Sequence, residues 1–202
     1  MRPSLSTPGS KESVLSAALT VLRRDGASGL RVRSVAMEAG CSTTGIYTHF
    51  GNKNGLVEAI YVDGFERFDE ALDTAPTTGT PLEQLHARGL QYRTWALANP
   101  TSYMVMFGGS VPEFEPGPEA TARGLQSFGD LIDSVAAAID SGELAPGDPT
   151  AVAYHLWATI HGYVMLELAQ MHRSRPGEGD VIYAAGLIRL IDGLAQPHPA
   201  HQ

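Results

Sequence analysis

Residues 30–56 read LRVRSVAMEAGCSTTGIYTHFGNKNGL, and the apolar spacing in this stretch decides how the rest of the chain is read. One apolar pattern runs from about Arg33 to Ala39 and a second from Thr43 to Phe50, separated only by Gly40, Cys41 and Ser42. Gly tolerates the backbone of a sharp turn, and Ser ahead of a helix satisfies its orphan N–H groups. Two short helices joined by a tight turn are therefore expected. On the second, Ile46 and Phe50 are four apart and share a face that can pack inward on Val35 and Ala36. That leaves Thr43, Thr44, Tyr47, Thr48 and His49 on the remaining surface. Thr and His can touch base edges or phosphates, and a Tyr hydroxyl suits a phosphate oxygen, so the layout predicts a helix-turn-helix that reads DNA. Ser42 sits at a helix start where an anion is stabilised by free N–H groups and the dipole, and Lys53 adds a cation.

Upstream, Val14, Ala18, Val21 and Leu22 form one stripe of a first helix capped by Ser10, with Gly26 placed for a left-handed C-terminal residue. Downstream, a fourth helix should open after Asn52 and run to about Asp73, with Val57, Tyr61, Phe65, Phe68 and Leu72 at helical spacing. At 1.5 Å per residue it would span roughly 30 Å. Thr80-Pro81-Leu82-Glu83 combines a capping box with Pro at the first helical position, opening a helix towards Asn99-Pro100. Gly108 to Pro118 reads as a loop. Further apolar stripes run from about Glu119 to Ser141, from Pro149 (capped by Asp148) to about Met171, and from about Val181 to Leu194. The predicted fold class is all-α: a three-helix bundle with the helix-turn-helix in residues 1–53, then a helical domain over 54–202.

Composition agrees with a folded chain. Its 202 residues are 43% hydrophobic and 7% aromatic, which excludes disorder as a description of the whole. A lone Cys41 and the lack of a long apolar run predict a soluble cytoplasmic protein with no membrane partner. The net charge of −8 conceals an asymmetry: residues 1–53 carry +4, through Arg2, Lys11, Arg23, Arg24, Arg31, Arg33 and Lys53, while the remainder carries −12. A short basic head on an acidic body suits a nucleic-acid-binding module joined to something else.

Leu30–Leu56 resembles the helix-turn-helix of the TetR family of bacterial transcriptional regulators. There a Val-Arg-x-Ile-Ala-x-x-Ala-Gly-Val-Ser segment is usually followed by Leu-Tyr-x-His-Phe and a Lys. The resemblance implies a dimeric regulator, most often a repressor, with a variable helical C-terminal domain that binds a small effector. It also implies phosphate contacts from Tyr47 and Lys53. Trp157-Ala-Thr-Ile-His161-Gly162 is similar to a Trp-x-x-x-His-Gly signature in one subgroup of such domains. Two positions depart from the pattern. Arg31 stands where the family usually has a capping Thr or Ser, so Arg31 and Arg33 are expected to approach phosphate by charge. Asn54-Gly55 replaces an acidic and a small residue, and Gly there predicts a softer hinge, since it lowers helix propensity by up to about 1 kcal/mol.

In the body, large apolar side chains are mostly core, with a subset expected to line an apolar effector pocket: Trp95, Met104, Phe107, Phe128, Trp157 and His161. His161 is equally well read as a core histidine held by a backbone carbonyl. Leu156, Ile160, Tyr163, Leu187, Ile191 and Leu194 on the last two helices suit a four-helix interface between two copies, or burial within one. Two reading helices related by a two-fold axis would bind half-sites about 34–36 Å apart in a palindromic double-stranded operator. No cofactor and no metal are expected: His155 and His161 point to different faces of one helix, and His86 and His172 complete no compact ligand spacing. Catalysis is not expected either, since no nucleophile elbow, phosphate-cradling loop or convincing Ser/His/Asp set occurs. The competing reading is a helical small-molecule-binding protein whose basic head is incidental.

Overall fold

The structure is a computed structural model that describes residues 9–171 and 178–195. Among these, the regular elements are helices: α1 (Lys11–Gly29), α2 (Val32–Glu38), α3 (Thr43–Phe50), α4 (Lys53–Leu72), α5 (Pro81–Ala98), α6 (Pro100–Met106), α7 (Pro118–Asp140), α8 (Pro149–Leu168) and α9 (Glu178–Leu194). Only an isolated bridge pairs Leu144 with Ala195. No described helix is long and apolar enough to cross a membrane. Arg2 and His172 lie outside the described residues.

Most starts follow from caps legible in the sequence. Ser10 accepts from the Ser13 N–H, Ser42 from Gly45 N–H at 3.1 Å, Asn52 from Gly55 N–H at 2.9 Å and Asp148 from Thr150 N–H at 3.0 Å. Thr80 and Glu83 cap reciprocally: Thr80 N–H donates to Glu83 Oε2 at 2.9 Å, and Glu83 N–H to Thr80 Oγ1 at 3.3 Å. Arg31, by contrast, caps α2 with no side-chain hydrogen bond. Gly26 has φ 67° but ψ −172°, an extended left-handed conformation that only Gly adopts cheaply, so α1 breaks there and makes one more turn to Gly29. Helix α6 was not anticipated, because its seven residues are too few to show a periodic stripe.

By compactness the chain divides into two units. One comprises Met1–Arg67 with Asn99–Gly124; the other comprises Phe68–Ala98 with Leu125–Gln202. In the first, α1, α2 and α3 pack around Val14, Val21, Val35, Ile46 and Phe50, and α4 closes that core with Leu56, Val57 and Ile60. Helix α6 packs on α1 and adds Val105, which is why residues far along the chain belong to the head. In the second unit α5 packs on both α8 and α9. A Cβ at Gly89 would stand 2.8 Å from the Leu187 side chain, so this glycine lets α5 and α9 approach closely.

Candidate nucleic-acid interface

Helix α3 is locked by its inner face. Ile46 is fully buried and Phe50 nearly so, which points the opposite stripe outward. Ser42, Thr44 and Thr48 are exposed and Thr43 half-buried, while Tyr47 keeps 52% of its surface in solvent although it is a large aromatic ring. The Thr48 hydroxyl donates to the Thr44 carbonyl at 2.9 Å, which orients it and leaves its oxygen lone pairs outward. Around this face Arg31, Arg33 and Lys53 are exposed, and none of the ion pairs among the described residues involves them. Arg24 differs. Its guanidinium bonds Asp25 and Glu38, and these carboxylates raise its pKa further, so its charge is already neutralised between α1 and α2.

His49, also exposed, makes a contact within the head. At about 100° per residue, His49 lies well round the helix from Thr44 and Tyr47. Its Nε2 is 3.1 Å from the Gly9 carbonyl oxygen and donates to it in the Nε2-protonated tautomer. His49 therefore ties Gly9 to α3, because the fold returns Gly9 to a helix forty residues further on. Nothing in the local sequence signals that return. Cys41, in the turn, is half-buried against the head core and behaves as a small apolar residue.

Gly55 also departs from expectation. A Cβ there would lie 2.1 Å from the Phe50 carbonyl oxygen, so the glycine is demanded by the close fold of the α3–α4 junction and is no soft point. The neighbouring turn is equally tied: Asn52 N–H donates to the same oxygen at 2.7 Å.

In the second unit the structure brings together part of the expected effector set. Phe128 and Trp157 ring centroids are 5.7 Å apart, Trp157 and His161 5.8 Å, and the Tyr92 hydroxyl is 3.4 Å from His161 Nδ1. Burial holds His161 below the ordinary imidazole value, favouring the neutral ring. Trp95 is buried against Phe68, at 5.2 Å, as core. Met104 and Phe107 belong to the first unit, where Phe107 packs on Phe65 and Tyr103.

Leu156, Ile160, Leu187 and Ile191 are already 3–6% exposed in the single chain, so a partner has almost nothing left to bury on them. Tyr163 and Leu194 are half-buried. Four of the six residues expected at a contact between copies are thus interior, and helical periodicity could not say which of two apolar stripes faces in. The outward stripe carries Tyr154 and Leu166 on α8 and Val181, Ile182 and Ile188 on α9, all 47–70% exposed.

Sequence reading also missed an ionic cluster. Arg93 on α5 makes a two-pronged bond with Glu167 on α8, one prong at 2.8 Å, and pairs with Asp180 on α9 at 2.8 Å. Its guanidinium lies 5.4 Å from the Tyr183 ring centroid, and the Tyr183 hydroxyl, pushed up by burial, donates to the Gly89 carbonyl at 2.7 Å. An acid set between Leu166 and Leu168 in an apolar helix was the available signal. No group of three or more His, Cys, Asp or Glu able to hold a metal occurs among the described residues.

A buried core presenting one short helix to solvent among unpaired cations defines a DNA-binding helix-turn-helix protein. The chain belongs to the TetR family of bacterial transcriptional regulators. The profile described as bacterial regulatory proteins, tetR family, matches residues 14–60, and that described as tetracyclin repressor-like, C-terminal domain, matches residues 85–190. A similar protein is an HTH-type transcriptional regulator of Mycobacterium tuberculosis, 24% identical over 201 residues, covering 85% of this chain and 86% of that one. Another is the HTH-type transcriptional repressor KstR of Mycolicibacterium smegmatis, 26% identical, covering 92% and 88%. A solved structure from Rhodococcus sp. RHA1, titled as a protein of unknown function, superposes with TM-score 0.80 at 27% identity over 97% of this chain and all of that one.

Proposed function

We propose that this protein is a repressor that binds a palindromic operator as a homodimer and releases it when an apolar small molecule occupies the C-terminal helical unit. The exposed Thr44–Tyr47–Thr48 face of α3, flanked by unpaired Arg31, Arg33 and Lys53, carries the reading. Hydroxyls oriented by the helix suit base edges and phosphates, whereas the three cations act on phosphate irrespective of sequence. Ser42 and Thr43 add contacts at the helix start. Dimerisation uses the outward stripe of α8 and α9, which is apolar and otherwise in water. The effector rests on Phe128 and Trp157, with Tyr92 and neutral His161 as its hydrogen-bonding pair. An effector that favours the non-binding arrangement must weaken operator affinity by the same factor with which operator weakens effector binding.

The test is recovery of genomic fragments by purified protein at low and moderate salt, followed by sequencing. A palindrome surviving the higher salt supports the reading. Binding that vanishes uniformly with salt, unchanged when Thr44 and Tyr47 are replaced, refutes it and favours a helical carrier whose basic head is incidental.

A further inference from the structure

A cleft of about 250 Å³ lies in the C-terminal unit, walled by Leu72 at the end of α4, Pro76 beyond it, Leu85 on α5 and Ala137 on α7, and neither Phe128 nor Trp157 lines it. It falls below the roughly 300–1,000 Å³ that houses drug-sized ligands, so it suits a short molecule. Arg88 is the only cation in its lining and Asp73 the only acid. The Arg88 side chain is 24% exposed and its one ion pair among the described residues is to Asp73 Oδ1, at 3.2 Å, whose own side chain is 72% exposed. One contact uses one of five guanidinium donors, and an exposed partner in water holds it weakly.

The start of α5 forms part of the wall but offers no donor. Pro81 has no N–H, Leu82 N–H donates to Glu143, and the Glu83 and Gln84 N–H groups are taken by Thr80. Thr77, Ser134 and Gln84 bring neutral groups to the lining, so the charge that attracts an anion here is that of Arg88. A planar carboxylate matches the guanidinium fork, and the apolar wall fits a short alkyl tail beside it. From this we infer that the cleft is a binding site for a small organic carboxylate, which displaces Asp73 from Arg88 into solvent. Gln84, whose amide N–H already donates to the Gly79 carbonyl at 3.1 Å, keeps an acceptor oxygen on the same wall.

Full-length protein is titrated with sodium butanoate, with butanamide and with inorganic phosphate at constant ionic strength, by calorimetry and methyl NMR. Butanoate is expected to bind saturably, one per chain, shifting the Leu72 and Leu85 methyls, with butanamide weaker by about tenfold or more. Arg88→Gln should lose about tenfold or more, while Asp73→Asn, which removes the competing carboxylate, should tighten binding by about two- to five-fold. Should Arg88→Gln fail to fold, the Asp73→Asn gain decides. The inference is overturned by unsaturable butanoate shifts, by butanamide or phosphate binding as well as butanoate, or by unchanged or weaker binding in Asp73→Asn.

Discussion

Replacing Gly55 by alanine sets helix propensity against packing, and the two predict opposite signs. Gly55 is the third residue of α4, where alanine would gain up to about 1 kcal/mol from propensity alone. The added Cβ would stand 2.1 Å from the Phe50 carbonyl oxygen and 3.2 Å from its carbon, where ordinary contact is 3.4–4 Å. That oxygen cannot retreat freely, because Asn52 N–H bonds it at 2.7 Å and the Phe50 side chain is 8% exposed in the head core. Nor can Gly55 withdraw without stretching its 2.9 Å bond to Asn52 Oδ1. Overpacking costs about 1–3 kcal/mol and a lost cap about 1 kcal/mol, so the clash outweighs propensity. Gly55→Ala should destabilise by about 1–2 kcal/mol, measured by urea unfolding at fixed protein concentration with m unchanged, and should weaken operator binding by loosening α3. A variant as stable as the parent, or more stable, would refute the close-approach reasoning.

Lys53→Ala should weaken binding about equally on all DNA sequences and reduce the slope of log affinity against log salt by about 0.9, read by fluorescence anisotropy; a sequence-dependent loss would contradict a phosphate role. Arg93→Met should cost about 1–3 kcal/mol by removing the charged hydrogen bonds to Glu167 and Asp180, and a double-mutant cycle of unfolding with Glu167→Gln should show a coupling of about 0.5 kcal/mol or more between the two positions. Burial lowers the His161 pKa from its usual 6.5, so the unfolded chain takes up the proton first: stability is full above pH 6.5 and is lost as pH falls from there towards the lowered value. Unfolding at pH 7.5 and 5.5 should show a smaller acid loss in His161→Gln than in the parent. Ile188→Lys, on the outward α9 stripe, should raise the dimer dissociation constant in sedimentation without lowering monomer stability, while Tyr163→Ala should do neither selectively.

The sequence by itself determined the local grammar of this protein: where helices start, because capping side chains act over three residues, and what α3 exposes, because Ile46 and Phe50 leave only one face to bury. It also separated a basic head from an acidic body, since charge is additive along a chain. Tertiary structure alone decided everything that depends on which distant segments meet. It assigned α6 to the head, tied His49 to Gly9, and made Gly55 indispensable through the carbonyl of Phe50. Among the apolar stripes of α8 and α9 it turned Leu156, Ile160, Leu187 and Ile191 inward and left Tyr154, Val181 and Ile188 in water. It also drew Arg93, Glu167 and Asp180 from three helices into one cluster. Periodicity reports that a helix has an apolar face, but the identity of the neighbour covering that face is set by long-range packing.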